Sequence, residues 1–315
     1  MIYRIMKLHF SGNVHFGDGL LETTTASFCA DTLFSALCQD ADNTAVIQEM
    51  VQAARNGQLA FSDTFPFDET ALYLPKPCMA IRSDMPDDGN SVRKKRFKKL
   101  KYVPLEQYPA YLAGAMTDEQ CENTVQSLKH LGAAALQTHV ALPRSEGDEA
   151  EKSAPYNVGV YRFRSGCGLW MIVAADTPER MEMLTRRIQL LGNEGIGGRR
   201  STGCGRFTVT TPELPEQLSQ MLENGKDSVL KITLSVSLPK EEELGCALEG
   251  ASYQLLRRSG FVASQQFPSV KKNDVFVFQT GSCFRNGFSG DVYEVSDGGA
   301  HPVYSYAVPM FLHVR

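Results

Sequence analysis

The segment GIGGRRSTGCGRF, residues 195–207 and hereafter the glycine-rich segment, has the residue types needed to bind phosphate groups. It holds five glycines, three arginines and two hydroxyl residues in thirteen positions. Glycines let a backbone approach a ligand closely, while guanidinium and hydroxyl groups donate hydrogen bonds to phosphate oxygens. We therefore predict a clamp on a nucleic-acid backbone, made by Gly195, Gly197, Gly198, Arg199, Arg200, Ser201, Thr202, Gly203, Gly205 and Arg206. The alternative is a surface loop whose arginines are only solvated.

The order of elements around the glycine-rich segment excludes two common nucleotide-binding motifs. A dinucleotide-binding turn follows a strand and opens a helix, because the amides at the helix N-terminus hold the pyrophosphate. Here the predicted helix comes first and the predicted strand second. A P-loop has lysine directly after its second conserved glycine, whereas Cys204 follows Gly203 in this chain. Nucleoside triphosphate chemistry is therefore not expected.

A second cationic cluster, RKKRFKKLK at residues 93–101, has seven basic side chains in nine positions. Such a run can release counterions from a nucleic-acid strand, and an aromatic side chain within it could stack on a base. Taken alone, the run fits a solvated loop or a localisation signal equally well. Together the two clusters favour binding of single-stranded RNA, with further contacts from Lys94, Lys95, Arg96, Phe97, Lys98 and Lys99.

Composition limits the class of protein. A chain of 315 residues with 43% hydrophobic and 22% charged content has enough apolar mass for two cores, and its net charge of -4 excludes a uniformly basic nucleic-acid coat. The chain has no apolar run of about eighteen residues and no signal-peptide pattern, so we expect a soluble cytoplasmic protein. Its eight cysteines are scattered singly, which predicts reduced thiols. No metal-binding motif is present in the sequence, and we expect neither a metal nor a cofactor.

Hydrophobic periodicity predicts the order strand, helix, strand, strand, helix, strand for the first 210 residues. Asp31 or Thr32 is a candidate cap for the first helix, and a T-x-x-Q capping box at Thr117 predicts a later one. Thr177 followed by proline predicts the start of a third. Residues 156–163 and 168–175 resemble a hairpin.

These patterns predict an α+β protein with a ferredoxin-like βαββαβ module in its first 210 residues and a second sheet module after it. The first module covers residues 1–211 with an insertion at about 82–155. Residues 212–227 are expected to be a linker, and residues 228–315 a second module. This second half also contains a Gly-Arg turn around Arg285, a weaker candidate contact.

Four motifs in fixed order resemble one known family: HFG (15–17), ADTLFSAL (30–37), LPKP (74–77) and the glycine-rich segment. Together they resemble the RAMP superfamily of CRISPR proteins, and most closely the subunit of subtype III-A (Csm) effectors that caps the 5′ end of crRNA. The glycine-rich segment by itself marks only the superfamily.

This resemblance implies two ferredoxin-like (RRM-like) βαββαβ modules. It also implies that the glycine-rich segment cradles the repeat-derived 5′ handle of crRNA, with His15, Phe16 and Lys76 lining the same groove. It also implies a thumb-like hairpin around residues 82–102 that reaches between crRNA and target RNA. The implied partners are the crRNA handle, target RNA near the thumb, the large palm-domain subunit and a neighbouring backbone subunit, with no membrane.

Two other functions stay open from the sequence. Relatives in this superfamily process crRNA precursors without a metal, which would make His15 a general acid or base and Asp31 a candidate carboxylate. We favour a non-catalytic subunit in which His15 contacts RNA and Asp31 caps a helix. In the third interpretation the basic clusters contact acidic protein surfaces and no RNA.

Overall fold

The computed structural model describes residues 1–17, 19–41, 43–79, 91–140, 155–223, 225, 228–261, 271–297 and 301–314, with the backbone alone for 91–94. In chain order its strands are β1 Ile2–Phe10, β2 Asn13–Val14, β3 Leu59–Phe61, β4 Phe65–Phe67, β5 Tyr73–Pro75, β6 Tyr102–Pro104, β7 Gly132–Val140, β8 Pro155–Phe163, β9 Gly168–Ala175, β10 Phe207–Thr210, β11 Leu230–Thr233, β12 Leu255–Arg258, β13 Val275–Phe278, β14 Cys283–Phe284, β15 Asp291–Glu294, β16 Tyr304–Ala307 and β17 Phe311–Val314. Its α-helices are α1 Ala30–Gln39, α2 Thr44–Arg55, α3 Ser91–Lys99, α4 Tyr108–Leu112, α5 Asp118–His130, α6 Pro178–Glu194, α7 Glu216–Glu223 and α8 Glu241–Leu248. The fold is therefore mixed α/β, and the pairs formed by these strands are antiparallel.

The main sheet has the strand order β10-β1-β9-β3, and β4 also pairs with β9. The chain builds it as β1, then α1 and α2, then β3 and β9, then α6 and β10. This is the order of strands and helices that the periodicity predicts for the first 210 residues. Every residue of β9 is buried, as its continuous apolar sequence requires of a strand covered on both faces.

The two faces of the main sheet pack against different core clusters. Met6 and Leu8 of β1 face the first core cluster, which α1, α2 and α6 cover. Ile5, Trp170 and Ile172 face the second core cluster, which includes residues of β5, β6, α5, α7, β11 and β17. Because side chains alternate along a strand, neighbouring residues of β1 and β9 enter opposite clusters. The sheet is thus a middle layer between two cores.

Two predicted helix starts are confirmed. The Oγ1 of Thr117 accepts the Gln120 amide at 3.2 Å, and the Gln120 side chain accepts the Thr117 amide at 2.9 Å, which completes the capping box of α5. Thr177 accepts the Arg180 amide at 3.2 Å, and Pro178 is the first residue of α6.

The predicted start of α1 is wrong. The helix begins at Ala30, so Asp31 and Thr32 lie within its first turn instead of capping it. The Ala30 amide donates to Oδ1 of Asp63 at 2.8 Å, a cap supplied from a distant part of the chain. Asp31 is 3% exposed and accepts hydrogen bonds of 2.7 and 2.8 Å from Arg258. The cap of α1 is therefore formed by Asp63, which is distant in the sequence, and not by Asp31 or Thr32.

Asp63 joins three segments of the fold. Besides the Ala30 amide, its Oδ1 accepts the Val236 amide at 3.1 Å, and its Oδ2 accepts a hydrogen bond from the Thr280 hydroxyl. Burial raises the pKa of Asp63 to about 6, although these three hydrogen bonds lower it, and the nearby Asp31 carboxylate raises it as well.

We expect this raised pKa to produce a pH-dependent stability that Asp63→Asn removes. The folded state holds the proton more tightly than the unfolded chain, so the stability from this group is fully present below about pH 4 and is lost as the pH rises through the folded pKa of about 6. The difference in unfolding free energy between wild type and variant should fall by up to about 3 kcal/mol across that window. Urea unfolding at a series of pH values measures it, and a pH-independent difference would contradict the raised pKa.

The predicted hairpin between residues 156–163 and 168–175 is also wrong. β8 pairs with β7 and β2 in a separate three-stranded sheet, whereas β9 lies inside the main sheet. The burial patterns explain the separation: β9 is buried throughout, while β7 is mostly exposed and β8 is only partly buried. Because β9 is apolar on both faces, it is stable only where both faces are buried. The β7–β8 ribbon lies at the surface and does not provide such a place.

The described residues of 228–315, hereafter the C-terminal half, do not pair into one sheet as a ferredoxin-like module would. Its described residues form one helix and seven strands, which lie in three small sheets. Tyr306 and Val292 enter the first core cluster, and Ile232 and Leu312 enter the second. These strands therefore contribute to both cores of the main sheet, and they also enclose two smaller clusters of their own, one around Phe284 and one around Val277.

Residues 212–227, the expected linker, include the packed helix α7. Leu218 is fully buried and Leu222 is 3% exposed in the second core cluster. None of the described helices is long and apolar enough to cross a membrane. Within the described ranges, no group of three His, Cys, Asp or Glu side chains is arranged to hold a metal ion.

Candidate nucleic-acid interface

Backbone hydrogen bonds hold the glycine-rich segment between α6 and β10. The Ile196 amide donates to the Gly205 carbonyl at 3.0 Å and closes the base of the loop. The Gly205 amide donates to the Asn13 carbonyl at 2.8 Å, and the Gly198 amide donates to the His15 carbonyl at 2.9 Å. The loop is thereby fixed against the segment that follows β1.

Two glycines are required because the loop passes close to His15. Gly197 has a φ of +92°, and a Cβ atom there would lie 2.7 Å from the His15 carbonyl oxygen. A Cβ atom on Gly198 would lie 2.6 Å from Cδ2 of the His15 ring. Larger residues would displace either the loop or the imidazole, so these positions keep the two in contact.

His15 is 7% exposed, and one hydrogen bond requires a proton on its Nδ1. Its Nδ1 lies 2.6 Å from the Gly159 carbonyl oxygen, which only accepts, so Nδ1 carries the proton. In the neutral imidazole Nε2 is then the acceptor, and it lies on the side of Gly17 and Gly198. The structure thus brings His15 to the glycine-rich segment, as the sequence predicts.

The position of Phe16 contradicts its predicted role. Its side chain is 4% exposed and belongs to the first core cluster. The ring packs edge-on against Phe10 and Phe28, with centroids 5.9 and 5.0 Å away. Phe16 therefore anchors the segment after β1 through aromatic packing in the core. Because its ring is buried there, it has little surface left for a nucleotide to contact.

The three arginines of the glycine-rich segment have different environments. The Nη2 of Arg199 donates to the Tyr156 hydroxyl at 3.1 Å, which ties the loop to β8. Arg200 donates to Oε1 of Gln39 at 3.2 Å and lies 4.0 Å from the Glu194 carboxylate, which ties it to α1 and α6. Arg206 is exposed.

The remaining polar residues of the loop lie on its outer side. Ser201, Thr202 and Gly203 are exposed around a single 3₁₀ turn, and the Thr202 hydroxyl donates to the Arg199 carbonyl at 2.9 Å. Two of the three predicted arginine contacts therefore position the loop, while Arg206 and this turn face solvent.

Lys76 lies at a different place from the groove predicted for it. Its Nζ donates to the Phe97 carbonyl at 2.6 Å and so caps the C-terminal turn of α3. Burial lowers the pKa of Lys76. A Cβ atom on Gly281 would lie 2.6 Å from the Lys76 carbonyl oxygen, which places this lysine beside the C-terminal half.

The basic run forms helix α3, which packs against α5. Arg96 pairs with Glu122 at 3.4 Å, and Lys95, Lys98 and Lys99 are exposed. Phe97 is half-buried against the second core cluster, which restricts the stacking on a base predicted for it. The side chain of Lys94, and residues 82–90 of the expected thumb, lie outside the described residues.

The two cationic clusters belong to opposite sides of the main sheet. Ile196 and Phe207 of the glycine-rich segment enter the first core cluster, whereas Phe97 and Leu100 enter the second. The two clusters therefore do not form one surface on the same side of the main sheet.

The second Gly-Arg turn already binds a carboxylate of the chain itself. Glu243 accepts hydrogen bonds from the Ser289 amide at 2.8 Å, the Ser289 hydroxyl at 2.7 Å and the Gly290 amide at 3.3 Å. Burial raises the pKa of Glu243, but these bonds outweigh it and lower the pKa overall. Arg285 is exposed, and its carbonyl accepts Nζ of Lys231 at 3.0 Å. An internal acid thus occupies the amides that a phosphate would need.

Two features of this site were missed in the sequence. Tyr156 contacts Arg199, and Arg258 pairs with Asp31. Tyr156 and Arg199 are 43 positions apart, and Asp31 and Arg258 are 227 positions apart, so no local pattern connects either pair.

Two family models match the chain. The model of a CRISPR-associated protein (Cas_Cmr3) matches residues 53–235, and the CRISPR Csm4 C-terminal domain matches residues 226–314. These two matches define a CRISPR-associated protein, and the predicted resemblance to the RAMP superfamily is confirmed.

Curated relatives cover almost the whole chain. CRISPR system Cms protein Csm4 of Mycobacterium tuberculosis (strain ATCC 25618 / H37Rv) is 36% identical over 311 residues, covering 98% of this chain and 97% of the relative. The protein of that name from Streptococcus thermophilus is 28% identical over 323 residues and covers 100% of both chains. The chain belongs to the Csm4 family.

Solved structures share the fold. A chain of the Csm3-Csm4 subcomplex in the type III-A CRISPR-Cas interference complex has a TM-score of 0.70 at 17% identity and covers 99% of both chains. A chain of the Csm1-Csm4 cassette in complex with pppApA has a TM-score of 0.63 at 20% identity, covering 100% of this chain and 98% of that one.

Proposed function

We propose that this chain is the RNA-binding subunit of a type III-A CRISPR effector and that its glycine-rich segment binds and caps the 5′ handle of crRNA. The observation that carries the proposal is the fixed loop with exposed donor side chains at Ser201 and Arg206. A loop held in place before binding loses little conformational freedom when it binds. Its guanidinium and hydroxyl donors suit phosphate oxygens, and membership of the Csm4 family agrees with this role.

We also propose that the subunit does not cut RNA. The Asp31 carboxylate is buried and forms a bidentate pair with Arg258, so it is not available as a base. The His15 ring is 7% exposed and is held by Gly159 beneath the loop, so its Nε2 can accept a hydrogen bond from a donor such as a ribose hydroxyl. This supports a binding role over the endoribonuclease alternative.

The proposed partners are a large palm-domain subunit and a backbone subunit that lies along the crRNA. Support comes from the shared fold with chains of a Csm1-Csm4 cassette and a Csm3-Csm4 subcomplex. We propose that the exposed β7–β8 ribbon, instead of residues 82–102, is the thumb-like hairpin that reaches target RNA. The exposed lysines of α3 would contact RNA phosphates or acidic protein surfaces on the other side of the main sheet.

The strand order β10-β1-β9-β3 supports a ferredoxin-like fold for the first module, residues 1–211. We propose residues 228–315 as a second module that is packed onto the first, and a cytoplasmic location for the protein.

We expect Arg206→Ala to expose the crRNA handle to nuclease in the assembled effector complex. Removal of a charged donor to phosphate should weaken handle binding by about tenfold or more. It should also make binding less steeply dependent on salt, because fewer counterions are released. Nuclease footprinting of 5′-labelled crRNA measures both effects. The matched control is Arg186→Ala, which removes an exposed arginine of α6 outside the glycine-rich segment.

The same reactions separate the alternatives. If Arg206→Ala and Arg186→Ala protect the handle equally at every salt concentration, the glycine-rich segment is not the clamp. If wild type cuts crRNA precursor and His15→Ala stops the cutting, the subunit is an endoribonuclease.

A further inference from the structure

The β7–β8 ribbon carries two stacked aromatic side chains beside the glycine-rich segment. His139 and Tyr156 are directly opposite each other in the strand ladder. Their ring centroids are 5.7 Å apart and their planes differ by 22°. Both side chains are half-buried and keep some exposed surface, unlike Val158 and Val160, which follow Tyr156 on the same face of β8 and are buried. The pair therefore forms an aromatic surface at the outer end of the ribbon.

Arg199 connects this aromatic pair to the glycine-rich segment. Its guanidinium carbon lies 5.6 Å from the centroid of the Tyr156 ring, and its Nη2 donates to the Tyr156 hydroxyl. Among the described residues it is the one non-glycine residue with positive φ, at 61°. Its Nε is buried and has no hydrogen-bond partner in the described part of the chain. A non-glycine residue keeps a positive φ only where the surrounding contacts stabilise it. At Arg199 one such contact is the guanidinium against the Tyr156 ring.

We propose that His139 and Tyr156 form a stacking platform for one unpaired nucleobase of the crRNA handle. The inference rests on the proposed function, because it requires the glycine-rich segment to hold the phosphates of the same strand. Since Arg199 belongs to that segment and touches Tyr156, the base of a nucleotide bound there lies next to the aromatic pair. Aromatic rings bind any base through its π face, and the Arg199 guanidinium holds the Tyr156 ring in place beside the loop.

The test uses the assembled complex with crRNA that carries 2-aminopurine at one handle position at a time. Stacking quenches the fluorescence of this base, so wild type should show one strongly quenched position. His139→Ala and Tyr156→Ala should restore its fluorescence and weaken handle binding by about 5- to 150-fold. His139→Phe should keep the quenching because the ring remains. Phe276→Ala removes an aromatic side chain that is 57% exposed on β13 and is the control.

The outcomes distinguish this inference from the proposed function. If the handle is protected from nuclease but no position is quenched, or if quenching survives His139→Ala, the platform is overturned while the cap stands. Quenching that occurs only with the label in target RNA also overturns it. If wild type leaves the handle unprotected, the proposed function itself fails. Circular dichroism of each variant shows whether lost quenching reflects lost folding, and His139→Phe tests the stack in a ribbon that retains its aromatic pair.

Discussion

Arg258→Ala is expected to destabilise the protein by about 3–5 kcal/mol, because it leaves the buried Asp31 carboxylate without its partner. The guanidinium donates to both oxygens of Asp31 at 2.7 and 2.8 Å and to the Thr32 hydroxyl at 3.1 Å. It thereby fastens β12 of the C-terminal half to α1 of the N-terminal half. The free energy of unfolding, measured by urea denaturation near neutral pH, gives the loss.

The neighbouring arginine is the matched control for this prediction. Arg257 pairs with Asp274 at 2.6 Å, but its side chain is 55% exposed. Solvent screens that pair, so Arg257→Ala should cost at most about 1 kcal/mol. Adding Asp31→Asn to Arg258→Ala should recover part of the loss, since the uncompensated charge is removed. Equal losses for the two arginine variants would contradict a buried ion pair at Asp31.

Asp63→Ala is the second large expected loss, roughly 2–6 kcal/mol. It leaves the Ala30 and Val236 amides without their acceptor in a buried place, and each unsatisfied buried donor costs about 1–3 kcal/mol. The Thr280 hydroxyl loses its acceptor too. Because these donors come from α1 and from two segments of the C-terminal half, one side chain holds three parts of the fold together. Thermal and urea unfolding should both show the loss.

Asp63→Asn is the control that keeps a carbonyl oxygen at the same position. It can still accept one or both backbone amides, so it should lose clearly less stability than the alanine variant near neutral pH. An asparagine variant as unstable as the alanine variant would mean that the charge, and not the acceptor, stabilises this junction. Asp31 and Asp63 interact electrostatically, so their variants are not expected to be additive.

The three arginines of the glycine-rich segment have two different roles. Arg199 and Arg200 are used within the protein, on Tyr156 and on Gln39, and both fix the shape of the loop. Arg206 remains exposed for a ligand. Substituting all three arginines together would combine a lost contact with a displaced loop. Single variants are therefore the informative ones.

Local features of this protein were determined by the sequence alone. The capping box at Thr117, the helix start at Thr177, the fully buried strand β9 and the position of the glycine-rich segment between a helix and a strand were all predictable. Each depends on residues a few positions apart, or on a continuous apolar run, so their physical causes lie within the segment itself.

The tertiary structure alone decided which polar groups form hydrogen bonds or ion pairs within the protein and which face solvent. Asp31 has the sequence of a helix cap but is paired with Arg258, and Glu243 occupies the amides of a turn that could otherwise hold phosphate. Likewise, β8 joins β7 instead of the strand that follows it. These outcomes depend on partners brought together from distant positions, whose distance and burial set the strength of each electrostatic contact. No local pattern carries that information, because it is created only when the strands pair and the two halves share their cores.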